Sequence, residues 1–283
     1  MEGFIPVQGG KVWYKIAGEP KGIPLILLHG GPGYPHDYLE PLEDLATDRQ
    51  VVFYDQLGCG NSDKTTDPAL WTVDKFVKEL QSLIDQLGFE KYHLLGHSWG
   101  SALAVAFALT NPKGLTSIIF SDPYISTPHW AKDTKRLLTL LPLETQKVLK
   151  NSPPDSPEYD KASKEYYDRF VFMLDPRPEP CMRANKKMNR ELYNHMWGPE
   201  EYAPTGNLKD FDPTSRLSEI NVPALFMCGR YDEATPETAQ YFQSLMPGSQ
   251  LKVFENSAHF PFWNERKEYM QTVHNFLRQV EKQ

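Results

Sequence analysis

Short, unbroken apolar runs punctuate this chain: Leu25–Leu28 (LILL), Val51–Tyr54 (VVFY), Ser117–Ser121 (SIIFS) and Ala224–Cys228 (ALFMC). A strand with one wet face alternates apolar with polar residues, whereas an unbroken run needs apolar cover on both faces. Val12–Ile16, Tyr92–Leu95 and Leu251–Phe254 complete the strand candidates. Helical periodicity fills the intervals at Val73–Gln86, Ser98–Leu109, Glu237–Leu245 and Glu265–Val280. Strands alternating with helices predict an α/β fold, a mostly parallel sheet with helices on both faces. With 283 residues, the chain is long enough to bury a large core.

The alternation stops near Pro123 and resumes near Val222. The stretch between is rich in charged and aromatic residues, with proline clusters at Pro153–Pro157 and Pro176–Pro180. It reads as helical over Asp133–Leu141, Leu143–Lys150, Tyr159–Met173 and Arg183–His195. The economical division is a core of residues 1–122 and 218–283, with residues 123–217 inserted as a helical cap. Such an insert belongs over the carboxyl ends of the strands, where open α/β sheets place their ligands.

Net charge is −7, from 37 acidic and 30 basic residues. That balance disfavours a nucleic-acid partner, because phosphate binding needs a basic surface. No apolar run approaches the ~20 residues that span a bilayer, and no signal peptide opens the chain. Cys59, Cys181 and Cys228 are an odd number without zinc-ligand spacing. They fit a reducing compartment, with Cys228 a core residue. A cytoplasmic protein without a metal or other cofactor is expected, and no membrane partner.

The strongest chemical signal is Gly96-His97-Ser98-Trp99-Gly100, between a predicted strand and a predicted helix. A serine on that sharp turn stands above the sheet with its hydroxyl exposed, and the glycines permit the turn. Ser98 is thus the candidate nucleophile. It needs a base, and the base an orienting acid. His259 follows the strand Leu251–Phe254 in a loop, whereas His274 lies within the terminal helix. Asp232 follows Ala224–Cys228 through Gly229-Arg230-Tyr231, with Asp122 at the end of Ser117–Ser121 as its rival. His29-Gly30-Gly31-Pro32-Gly33 follows Leu25–Leu28 and could aim the Gly31 N–H, with that of Trp99, at an oxyanion. A phosphate cradle fails there: no Lys-Ser/Thr pair follows, and Pro32 removes a donor. His29 and His97 read as structural loop residues, and Asp55–Ser62 as a turn-rich loop.

Taken together, HGGPG at 29–33, DQLGCGNS at 55–62, GHSWGS at 96–101, GRYDEATP at 229–236 and the late His259 resemble the proline iminopeptidase family of α/β-hydrolases, which includes prolyl aminopeptidases and amino-acid amidases. The likeness runs from about Val12 to Val280. Met196–Tyr202 (MWGPEEY) is similar to the family's M-x-G-P-x-E-F segment, with Tyr202 where Phe is usual, and Gly206–Asp210 to the stretch after it.

The resemblance implies an α/β-hydrolase fold and a triad of Ser98, Asp232 and His259. It implies an oxyanion hole from the Gly31 and Trp99 N–H groups, and recognition of a substrate's free amine by Glu201 and Glu233. Glu200 is the alternative to Glu201. The implied activity is release of an N-terminal residue, proline preferred, from short peptides or amino-acid amides. An esterase or lactonase on the same fold, and a non-catalytic ligand-binding homologue, are the competing readings. Dehalogenases and epoxide hydrolases are disfavoured, because those relatives place Asp at the nucleophile position.

Overall fold

The computed structural model describes residues 1–153 and 156–282. Its strands are β1 (Glu2–Val7), β2 (Gly10–Ala17), β3 (Leu25–Leu28), β4 (Val51–Tyr54), β5 (Tyr92–His97), β6 (Leu115–Ser121), β7 (Ala224–Gly229) and β8 (Gln250–Phe254). They form one sheet in the order β1-β2-β4-β3-β5-β6-β7-β8. β1 and β2 pair antiparallel, as do β2 and β4, and every pairing from β4 through β8 is parallel.

The unbroken runs are covered on both faces, as expected. Ile26, Leu28, Val52, Tyr54, Ile118 and Phe120 enter one buried cluster, while Leu25, Leu27, Val51, Phe53 and Ile119 enter the other. Successive side chains point to opposite faces, so a run such as LILL feeds both layers. Each fully buried Leu, Ile, Val or Phe contributes roughly 1.5–3 kcal/mol.

Helices α1 (Val73–Leu87) and α2 (Trp99–Ala108) cover the first face. In α1 the buried residues Phe76, Leu80, Leu83 and Ile84 recur at helical spacing. Thr72 caps its start by accepting from the Lys75 N–H, and Gly88, with φ +71°, ends it. The second face is covered by a 3₁₀ segment, His36–Thr47, and by the C-terminal helix that carries Tyr269, Val273, Phe276 and Leu277.

Between β6 and β7 lie α3 (Thr127–Leu138), α4 (Leu143–Asn151), α5 (Pro157–Phe170), α6 (Glu179–Lys187) and α7 (Arg190–Met196); α8 (Pro236–Ser244), α9 (Pro261–Asn264) and α10 (Arg266–Glu281) follow. Two readings of this region need correction. The single helix expected over Arg183–His195 is two helices, because Asn189 leaves the helical conformation and its side chain caps α7 by accepting from the Leu192 N–H at 3.0 Å. The helix expected over Asp133–Leu141 begins at Thr127, capped by Ser126. Within the Pro153–Pro157 cluster, Pro154 and Asp155 lie outside the described residues.

Hydrogen bonds join this helical stretch to the sheet's carboxyl edge. Phe170 O accepts from Glu233 N and Val171 O from His259 N, each at 3.2 Å. Asn189 N donates to Gly33 O at 3.0 Å, and its side chain donates to Gly58 O at 2.8 Å. β4 and β5 lie on opposite sides of β3, so the order in which the chain lays down strands reverses there while the strands stay parallel. Open α/β sheets gather ligands outside the carboxyl ends at such a point.

Candidate active site

Ser98 joins β5 to α2 with φ +54° and ψ −121°, outside the common regions for a residue with a side chain. The surroundings fix that conformation. Ser98 N donates to Ser121 O at 3.0 Å, and Ser101 N donates back to Ser98 O at 2.8 Å. A Cβ on Gly100 would stand 2.0 Å from Leu28 O, and one on Gly96 would stand 2.3 Å from Gly100 O. Only glycine at these positions lets α2 start so close to β3 and β5. The half-buried Ser98 faces a cavity of about 790 Å³ that also borders Gly31, Tyr167, Glu201, Glu233 and His259.

Asp232 and His259 come from loops after neighbouring strands β7 and β8. Gly229 makes their approach possible, since a Cβ there would stand 2.2 Å from Ala258 O. His259 Nδ1 lies 2.7 Å from Asp232 Oδ1, which also accepts from Ala234 N at 2.9 Å. A carboxylate accepting from Nδ1–H leaves Nε2 as the basic nitrogen. Ser98 Oγ has no hydrogen-bond partner among the described residues. Such contacts in ligand-free active sites often tighten only around a bound substrate. Of the two acids weighed in the sequence, Asp232 is the one that bonds to His259. His274 lies in α10, 3.4 Å from Asp48, away from this cluster.

The Gly31 loop is held from below. Gly31 has φ +109°, and its N–H has no acceptor among the described residues. Trp99 opens α2, where a first-turn N–H lacks an intrahelical acceptor. His29 Nε2 accepts from Gln56 N at 2.9 Å, so its Nδ1 carries the proton and donates to Gly30 O at 3.0 Å. Burial drives the His29 pKa down to about 4, keeping the ring neutral for this double role. Gln56 donates from Nε2 to His29 O at 3.2 Å and accepts from Trp99 Nε1 at 2.9 Å. One amide thus ties together both segments that carry the candidate oxyanion donors. Tyr38 OH accepts from Gly30 N at 2.7 Å and lies 2.8 Å from His97 Nδ1, whose Nε2 is 2.9 Å from His259 O. Sequence reading assigned no role to Gln56 or Tyr38. The DQLGCGNS motif was the available signal for Gln56; nothing local marked Tyr38.

Glu233 adjoins Asp232 and is buried, with Tyr166 OH donating to its Oε2 at 2.9 Å. Burial, then the charges of Glu201 and Asp232, push its carboxyl well above the usual range. Glu201 accepts from Tyr193 OH, and burial raises its pKa as well. Glu200 instead accepts from Tyr159 OH, which also contacts Tyr202. Glu201, not Glu200, is therefore the partner that faces Glu233. Two carboxylates in one desolvated pocket repel each other, and a cation between them removes that cost.

Among the described residues, Asp122, Asp232 and His259 offer three possible metal-ligand atoms within 4.8 Å of one another. The only ring nitrogen of His259 that Asp232 contacts already carries the hydrogen bond between them, so a cation there would compete with that bond. No described helix is long and apolar enough to cross a membrane. All three cysteines are buried free thiols, as expected for Cys228.

Residues 23–266 match the family described as alpha/beta hydrolase fold. A proline iminopeptidase of Heyndrickxia coagulans is 46% identical over 285 residues, with 99% of each chain covered. One from Saccharolobus solfataricus is 38% identical, covering 99% of this chain and 93% of its own. The crystal structure of the proline iminopeptidase of Mycobacterium smegmatis superposes with a TM-score of 0.94 at 32% identity, covering 99% of this chain and 98% of that one. Fold, site architecture and full-length similarity agree: the chain belongs to the proline iminopeptidase family of α/β-hydrolases.

Proposed function

We propose that this protein is a serine exopeptidase that releases an N-terminal residue, proline preferred, from short peptides, amino-acid amides or arylamides. Ser98 Oγ attacks the carbonyl of the first residue. His259 takes the proton at Nε2 and later delivers one to the leaving amine. Asp232 holds the imidazole in the Nδ1–H tautomer and stabilises its charged form. The N–H groups of Gly31 and Trp99 receive the developing oxyanion, where one such donor is worth about 2.7–4 kcal/mol. Water then hydrolyses the acyl-enzyme, with the imidazole again acting as base.

Glu201 and Glu233 bind the substrate's protonated terminal amine, primary or, in proline, secondary. Residues 123–217 form the cap that closes this end of the pocket, so that only a chain terminus enters. A cytoplasmic location is consistent with the three reduced, buried thiols.

The observation that carries this reading is the pairing of buried Glu233 with half-buried Glu201 in the same cavity as Ser98 and His259. An esterase or lactonase has no use for two carboxylates beside its nucleophile, and burial raises the pKa of both, which disfavours their charged forms unless a cation joins them. A panel of aminoacyl arylamides, with a simple acyl ester as control, tests the assignment. Prolyl arylamide is expected to be turned over fastest, with a serine-directed phosphonate labelling Ser98 and abolishing the reaction. Preference for the acyl ester over every free-amine substrate would contradict it.

A further inference from the structure

Asp122 ends β6 in a left-handed conformation, with φ +50° and its N–H donating to Met227 O at 2.7 Å. Its side chain is fully buried. Oδ2 accepts from Ser121 OH at 2.7 Å, and that hydroxyl in turn accepts from Tyr269 OH at 2.9 Å. Oδ1 has no partner among the described residues. Asp232 is arranged in the complementary way. Its Oδ1 accepts from His259 Nδ1 and Ala234 N, and its Oδ2 has no partner among the described residues. The two carboxyl groups are close neighbours, each placing an oxygen within 4.8 Å of the other's. Among the described residues, the salt-bridge partners of the two groups are histidines, His97 for Asp122 and His259 for Asp232.

Two ionised carboxylates this close in a buried site, each with a bare oxygen, would carry two uncompensated charges. One proton between the bare oxygens satisfies both and leaves a single negative charge. We propose that Asp122 is a positioning residue that stays protonated and donates its carboxyl O–H to Asp232 Oδ2, so that the acid orienting His259 is held by hydrogen bonds on both oxygens. The proposal rests on the reading of Asp232 and His259 as the acid–base pair.

Burial, then the adjacent charge of Asp232, push the Asp122 carboxyl well above the carboxylate range. The ionisable groups facing it are Asp232 from the loop after β7, Cys228 on β7, His97 on β5 at 3.7 Å, Tyr38 in the 3₁₀ segment, Tyr269 on α10 and His259 after β8. Burial also drives the His97 pKa well down, so its ring supplies no compensating charge. The shared proton fixes the Asp232 rotamer, while one net charge remains to stabilise the imidazolium.

The sign of a pH shift tests this. Asp122→Ala strips a hydrogen bond from Asp232 and concentrates its charge. Turnover of prolyl arylamide is expected to fall about tenfold with KM little changed. The acid limb of kcat/KM should move up by roughly half to one pH unit. Asp122→Asn keeps a donor for Asp232 and an acceptor for Ser121, so it should restore most of the turnover and leave the limb in place. If Asp122 is instead ionised, removing its charge moves the limb down in both variants, which overturns the proposal. So does an unchanged profile in Asp122→Ala.

Infrared difference spectra of enzyme carrying ¹³C-labelled aspartate provide a readout without turnover. A protonated-carboxyl band at neutral pH that vanishes in Asp122→Asn supports the proposal, and its absence from the parent protein overturns it. Loss of that band's proton to a divalent cation would show as a chelator-sensitive rate restored by zinc or manganese, which also overturns it. Asp232→Asn, measured in parallel, tests the underlying triad separately: normal turnover in that variant would sink the triad while leaving the band interpretable.

Discussion

Glu233→Gln should move activity and stability in opposite directions. The side chain is buried at 2% exposure, beside Asp232 and facing Glu201, and among the described residues its hydrogen bond comes from Tyr166 OH. A glutamine oxygen can accept that bond, so the substitution removes the charge and little else. Losing one anion from a desolvated ammonium site typically costs roughly 2–5 kcal/mol, or about 30- to 4,000-fold in kcat/KM for a free-amine substrate. A small acyl ester, which uses only Ser98, His259, Asp232 and the oxyanion donors, should lose much less.

Stability responds the other way. The folded-state pKa of Glu233 is raised, so the folded protein retains a proton that the unfolded chain releases above the ordinary carboxylate range. Its contribution is most favourable below that range and is lost as pH climbs toward the raised value. Glutamine carries no such penalty. The variant should melt higher than the parent at pH 8, by about 2 °C for each kcal/mol relieved, and the advantage should shrink toward pH 5. Steady-state kinetics on prolyl arylamide and on the ester, with melting curves at both pH values, measure all of this. A variant that keeps full arylamide activity, or that melts lower at pH 8, would refute the reasoning.

Three further outcomes are expected. Ser98→Ala should lower turnover by at least about 10³-fold while leaving the melting temperature nearly unchanged, as kinetics and calorimetry on one preparation can check. Asp232→Asn should cost about 10⁴ in kcat by presenting the wrong imidazole tautomer, and the ranking against Asp122→Asn reads directly which acid orients His259. Glu79, buried in α1 with Oε2 accepting from Leu57 N at 3.1 Å, is pushed by burial up to about 8. Stability therefore declines as pH rises from the ordinary carboxylate range toward 8, and Glu79→Gln should flatten that decline in melting curves taken between pH 5 and 8.

What could be read from the sequence follows physical range. Runs such as LILL and SIIF declare strands covered on both faces, because burial of consecutive residues leaves no other regular solution. Gly96 and Gly100 flank Ser98 because a Cβ at either would strike backbone, a local constraint that a motif can carry. β1 carries a weak signal: only Ile5 in it is buried, Pro6 lies within it, and it exists through antiparallel pairing with β2 at the sheet's edge. The 3₁₀ segment His36–Thr47 contains Pro41 and lacks a cap, so it carries neither a clean period nor a start signal. The break between α6 and α7 was missed because Asn189 is held by Gly33 and Gly58, far away in sequence. The role of Gln56 is long-range as well: its amide bridges His29 and Trp99, and DQLGCGNS marks the segment without naming those partners.

The central claim, that this site recognises a free amino terminus, is tested most directly by one comparison: kcat/KM for prolyl arylamide against its N-acetyl derivative. Acetylation removes the positive charge and adds bulk where Glu201 and Glu233 would hold the amine, leaving two desolvated carboxylates without a cation. The free compound is predicted to be cleaved about 30- to 4,000-fold better. Equal turnover of the two would contradict amine recognition and return the protein to the esterase reading of the same fold.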